Sequence, residues 1–195
     1  MRKYLLFDTE AGGLDAKVHS PLSYFGIMLD PKLNVLDTID LKIKPNPGDL
    51  YKLDAAAMKV NKINIVEHDA VAISENQAGI KLSNFILKHV DPTALGDIVP
   101  ASHNIVPVGH NIGRLDIPIA ERLVGFEFWN KYISRRTIDT GTIAQYLMLR
   151  GVLPFLDGSL GSLCKHYEIS YANAHNAETD AHLTLNVLKR MINDG

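Results

Sequence analysis

The feature that most constrains this chain is a short apolar run near its start, Tyr4-Leu5-Leu6-Phe7, which stops abruptly at Asp8-Thr9-Glu10. A continuous apolar run bounded by acids and by Gly12-Gly13 predicts a central strand buried on both faces, followed by a turn. Side chains alternate along a strand, so Asp8 and Glu10 emerge on the same face. An isolated Asp-x-Glu is a weak signal, and the pair also reads as solvated turn carboxylates. Its position favours a site: two acids at the edge of a core are costly unless a cation or hydrogen-bond donors compensate them.

The following residues extend the sheet. Residues 22–29 and 33–44 are rich in apolar and β-branched side chains and flank Asp30-Pro31-Lys32, which predicts an antiparallel hairpin. Pro45, Pro47 and Gly48 then stop the sheet. Apolar residues at mostly helical intervals predict a helix over 72–89, with Gly79 weakening it. A strand over 106–109 precedes a helix over 117–124, for which Asp116 is the expected N-cap and Gly125 the stop. A strand near 132–138 and a helix over 140–150 come next. Leu160, Leu163, Cys164 and Tyr167 share one helical face, which makes Cys164 a core residue. A last helix over 176–192 carries Ala177, Ala181, Leu185, Leu188 and Ile192 on one stripe, with Asp180 at its edge. Strands and helices in this order make the chain α/β, and the absence of any linker or repeat predicts one domain over 1–195.

Two further segments carry chemistry. Asp116 closes Gly109-His110-Asn111-Ile112-Gly113-Arg114-Leu115-Asp116, and capping a helix with one carboxylate oxygen leaves the other available. His175-Asn176-Ala177-Glu178-Thr179-Asp180 enters the final helix, and this spacing lets an imidazole and a carboxylate face one cleft. A histidine in such a place also reads as a cap or a surface residue. Phe126, Phe128, Trp129 and Tyr132, interleaved with Lys131, Arg135 and Arg136, read either as a stacking groove for single-stranded nucleic acid or as aromatic core beside a basic edge. The core reading is the simpler one.

Composition narrows the classes. The net charge of −2 lacks the basic excess of a duplex-coating protein, although two bound divalent cations would bring the balance to +2. No apolar run approaches a membrane span, and the start lacks a signal-peptide core. With Cys164 as the single cysteine, no internal disulfide is possible, and a cytoplasmic location is expected. Gly158-Ser159-Leu160-Gly161-Ser162 has the wrong order for a serine nucleophile elbow, and no phosphate-loop motif occurs.

Taken together, Asp8-x-Glu10, Gly109-His110-Asn111 through Asp116, Ile138-Asp139-Thr140, Ser159-Leu160 to Leu163-Cys164 and His175-x-Ala177-x-x-Asp180-Ala181 resemble the DnaQ-like exonuclease superfamily. The resemblance is to its DEDDh branch, which includes the proofreading epsilon subunit of bacterial DNA polymerase III, and it covers nearly the whole chain.

That resemblance implies an RNase H-like fold and 3′-to-5′ hydrolysis with two divalent cations, Mg2+ or Mn2+, about 3.5–4 Å apart. It further implies that Asp8 bridges both ions, that Glu10 and Asp180 complete the first site, that Asp116 holds the second partly through water, and that His175 is the general base. The implied partner is a single-stranded nucleic acid 3′ end, DNA favoured over RNA, with a polymerase as a further expected partner. RNA trimming and a non-catalytic binding module on the same fold are the alternatives. Relatives often place hydroxyl residues directly after Asp-x-Glu, whereas this chain has Ala11 and Gly12, so its contacts to the terminal nucleotide are expected to differ. No long extension follows Gly195, which leads to the expectation of a stand-alone enzyme.

Overall fold

A computed structural model describes residues 2–90, 105–171 and 176–194. The apolar run lies inside β1 (Lys3–Ala11), which pairs antiparallel with β2 (Pro21–Leu29), and β2 pairs antiparallel with β3 (Val35–Lys44). The turn between β2 and β3 is built by Asp30, whose Oδ1 accepts from the backbone N–H groups of Lys32 and Asn34. Such side-chain-to-backbone bonds are why Asp favours turns. Three parallel pairings widen the sheet: β4 (Ile73–Ser74) on β3, β5 (Ile105–Gly109) on β1, and β6 (Ile138–Asp139) on β5. The order is β4-β3-β2-β1-β5-β6, which makes β1 central, as its composition requires.

Eight helices are described: α1 (Ala55–Asn61), α2 (Ile65–Val71), α3 (Glu75–His89), α4 (Asp116–Val124), α5 (Phe126–Tyr132), α6 (Thr140–Leu149), α7 (Leu160–His166) and α8 (Ala177–Asp194). The pleat of β1 sorts the core into two layers. Leu5 and Phe7 join Tyr24, Met28, Leu41 and Ile43 under α3, α4 and α5. Leu6 joins Phe25, Ile27, Leu29 and Val108 under Ala177, Ala181, Leu185 and Leu188 of α8. Cys164 lies fully buried among α6, α7 and α8, and burial pushes its thiol up to about 11, so it is a packing residue and no nucleophile. These layers match the α/β architecture that the RNase H-like resemblance implies.

Several expectations need correction. Helix α3 begins at residue 75 rather than 72, because Ser74 and Gln77 form a capping box and Ile73–Ser74 pairs with β3. Gly79 strengthens the packing there: a Cβ at this position would run into the carbonyl oxygen of Leu123, so only glycine lets α3 and α4 come so close. The strand expected over 132–138 shrinks to residues 138–139 plus a single bridge between Ile133 and Ile105. Residues 126–132 are helical, and Trp129 is buried edge-on to Phe7 with ring centroids 6.0 Å apart. Phe128 packs on Tyr132 at 4.7 Å, and both join Trp129 in the core as the simpler reading held, whereas Phe126 is exposed. Helices α1 and α2, in the stretch between the β3 turn and α3, were not foreseen. Asp116 is the first residue of α4 rather than its N-cap; Leu115 occupies the cap and makes no side-chain bond there. Its carboxylate is used elsewhere.

Candidate active site

The end of β1, met from opposite layers by α8 and α4, sets the position of the acids. The β1–β5 pairing ends at Leu6 and Val108, and β1 runs on alone on that side toward Ala11. Asp8 and Glu10 leave this extension on the α8 face, in line with Leu6. Helix α8 begins on that face, and Asn176 supports its first turn by accepting from the Thr179 N–H at 2.9 Å. The small side chains of Ala177 and Ala181 pack against β1 and β2, which draws Asp180 up to the strand end. Oxygen atoms of Asp8, Glu10 and Asp180 all lie within 4.8 Å of one another.

Asp116 reaches the same strand end from the other layer. It is 7% exposed, and its Oδ1 accepts from the Thr9 N–H at 2.9 Å and from the Thr9 hydroxyl at 2.7 Å. Of the five residues singled out by sequence, the structure brings Asp8, Glu10 and Asp180 into one cluster and sets Asp116 next to it. His175 lies outside the described residues.

The electrostatics of this arrangement are unfavourable without a cation. Burial raises the Asp8 carboxyl well above its usual range, and the charges of Asp116, Glu10 and Asp180 push it further. Glu10 rises to about 7, first from burial and then from Asp180 and Asp116. Burial raises Asp116 to about 6, against the lowering effect of its two bonds from Thr9. Three converging carboxylates with no sulfur donor suit a hard divalent cation such as Mg2+ or Mn2+, whose charge would relieve this repulsion.

Two neighbouring features were missed from the sequence. Tyr171 lies against Gly161 of α7, and its hydroxyl is raised by burial and then by Asp180, Cys164, Asp8 and Glu10, which sets it at the edge of the acid cluster. No local pattern marks it, since the loop that carries it has no periodicity. Asn61, buried at the end of α1, donates to the Ala11 carbonyl at 3.2 Å and so ties α1 to the end of β1. His110 makes a structural contact, with Nδ1 2.9 Å from the Thr140 hydroxyl.

Two cavities flank the acids and share Glu10 and Asn61. The first, of about 500 Å3, is lined by Thr9, Ala11, Leu14, Ala57, Val60 and Leu115, among others, and is largely apolar. The second, of about 320 Å3, includes Ser23, Lys42, Asn64 and His68.

The family model described as DNA polymerase III subunit epsilon-like, C-terminal domain (DEDDh) matches residues 73–191, more than half of the chain. The chain belongs to the DEDDh family. It is 25% identical over 196 residues to the PolC-type DNA polymerase III of Ureaplasma parvum serovar 3, covering 98% of this chain and 12% of that protein. Among solved structures, E. coli exonuclease I in complex with a dT13 oligonucleotide has a TM-score of 0.72 at 21% identity, over 97% of this chain and 41% of that one. The same enzyme with a dA16 oligonucleotide gives 0.74 at 19% identity, over 99% and 42%. This DEDDh chain therefore spans well under half the length of these relatives. Among the described residues, no helix is long and apolar enough to cross a membrane.

Proposed function

We propose that this chain is a 3′-to-5′ exonuclease that removes nucleoside monophosphates from single-stranded DNA. The observation that carries the reading is the convergence of Asp8, Glu10 and Asp180, with Asp116 beside them, at the rim of a largely apolar cavity. Asp8, Glu10 and Asp180 would hold one divalent cation and Asp116, together with Asp8, a second. Such ions supply Lewis-acid activation of water and neutralise charge developing on phosphate and on the leaving oxygen.

The chain's own residues supply position and proton transfer. The cavity walls at Ala11, Leu14, Ala57 and Val60 offer apolar contact to a nucleobase, and Glu10, which lines the same cavity, joins it to the acid cluster. As the water oxygen bonds to phosphorus and the P–O3′ bond breaks, His175 takes the water proton, a role suited to an imidazole near neutral pKa. The 3′ oxygen leaves on the shortened strand and takes a proton from solvent. DNA is favoured over RNA because the structurally similar exonuclease I is seen with dT13 and dA16 oligonucleotides. The likeness to a PolC-type polymerase supports action alongside a DNA polymerase.

The test is digestion of matched 5′-labelled DNA and RNA oligomers with Mn2+. A ladder shortening from the 3′ end, faster for DNA and abolished by EDTA and by Asp8→Ala, is the expected result. Faster loss of RNA would reassign the substrate, and no cleavage of either would leave a binding module.

A further inference from the structure

Asp116 is held by a residue that the acid spacing does not single out. Because the β1–β5 pairing ends at Leu6, the backbone of β1 beyond that point has, among the described residues, no strand on its β5 side. A buried N–H there needs a partner, and at Thr9 the partner is the Asp116 carboxylate. The Thr9 hydroxyl, at 2.7 Å, donates to the same oxygen. Both residues are buried, at 6% and 7% exposure, so solvent does not compete for these bonds. Bonds to a charged acceptor are about twice as strong as neutral ones. Two of them on Oδ1 fix the carboxylate and leave Oδ2 as the oxygen not engaged by Thr9. Of the neighbouring charges, Asp116 has the largest effect on Asp8, which agrees with this placement beside the cluster.

We propose that Thr9 is a positioning residue whose hydroxyl orients Asp116 so that the carboxylate group can take up a second divalent cation. This inference rests on the exonuclease reading above. Thr9 also lines the larger cavity, but its hydroxyl is bonded to Asp116, and the role proposed for it is exerted through that carboxylate. Partners of metal-binding carboxylates typically set affinity or activity by about 10- to 100-fold.

The experiment compares Thr9→Val, which keeps shape but loses the hydroxyl, with Thr9→Ser, which keeps the hydroxyl. Calorimetric titration with Mn2+ and steady-state cleavage of a DNA oligomer are the two readouts, and melting in EDTA confirms folding. Thr9→Val is expected to weaken one of two Mn2+ binding events by about 10-fold and to lower kcat by a larger factor than it changes KM for the oligomer. Thr9→Ser is expected to match the wild type in both. Wild-type Mn2+ binding and kcat in Thr9→Val would overturn the role of Thr9 while leaving the exonuclease reading intact. If Thr9→Val fails to fold, Thr9→Ser decides: a Ser variant with weakened Mn2+ binding would overturn the hydroxyl's role. A wild-type protein that neither binds Mn2+ nor cleaves would remove both readings together.

Discussion

Asp8 is the residue at which folding and function pull in opposite directions. It sits at the end of a core strand, half-buried, facing Glu10 and Asp180, and its ionisation is opposed by burial and by three like charges. A carboxyl held above its ordinary range in the fold contributes stability below the unfolded value, and that contribution is lost as pH rises through the folded one. For Glu10 the window runs from 4.5 to about 7. At pH 8 in EDTA both carboxylates are therefore a burden on the fold. Replacing Asp8 by Asn removes charge at nearly constant volume, so Asp8→Asn is expected to melt at or above the wild-type temperature in EDTA. The same variant should lose the stabilisation that millimolar Mn2+ gives the wild type, about 2.7 kcal/mol at 100 times Kd, and should lose turnover. Differential scanning calorimetry with and without Mn2+ checks all but the last.

At the scale of elements, the site depends on two helices meeting one strand end from opposite layers. Helix α8 brings Asp180 through close packing of Ala177 and Ala181, while α4 brings Asp116 over the open side of β1. The seat of α4 depends in turn on α3, since Gly79 lets the Leu123 carbonyl approach the α3 backbone. In an exposed helix, Gly→Ala gains about 1 kcal/mol from propensity. Here the added methyl has no room, so Gly79→Ala is expected to destabilise the protein by about 1–3 kcal/mol. Urea unfolding measures this. Arg122, directly before Leu123 in α4, donates through two nitrogens to Glu75 of α3 and through a third to the carbonyls of Ala16 and His19, so it fastens the loop that walls the larger cavity.

For the whole molecule, stability at acid pH has a separate source on the far side of the sheet. Asp37 of β3 accepts from Lys88 Nζ at 2.7 Å and from His89 Nε2 at 3.0 Å, which ties the end of α3 to the sheet. These bonds, that from Lys88 first, lower the Asp37 carboxyl from 3.8 to about 2. A depressed carboxyl contributes stability above its unfolded value and loses it as pH falls through the folded one, here between 3.8 and about 2. Because the pair is partly exposed, Asp37→Asn is expected to cost only about 0.5–1 kcal/mol at pH 6. The difference from wild type should shrink as pH falls below 3.8 and be mostly lost by pH 2, as urea midpoints measured across this range would show.

The sequence by itself determined whatever depends on near neighbours along the chain. The central strand, the hairpin, the long helices α3, α6 and α8 and the pairing of Asp8 with Glu10 all follow from apolar runs, 2.0- and 3.6-residue periods and turn residues, which are local quantities. The short helices α1 and α2 escaped because their seven-residue spans present mostly exposed faces, leaving only the caps Asp54 and Asn64 as signals. Helix α5 was hidden by its aromatic residues, which favour strands unless burial against Phe7 overrides them. Only the tertiary structure decided what the acids are bonded to. The use of Asp116 by Thr9 spans 107 residues, and the approach of Tyr171 to the cluster depends on how its loop lies against α7. No period or spacing encodes such contacts, because they exist only once strand register and helix packing have set where each chain segment ends.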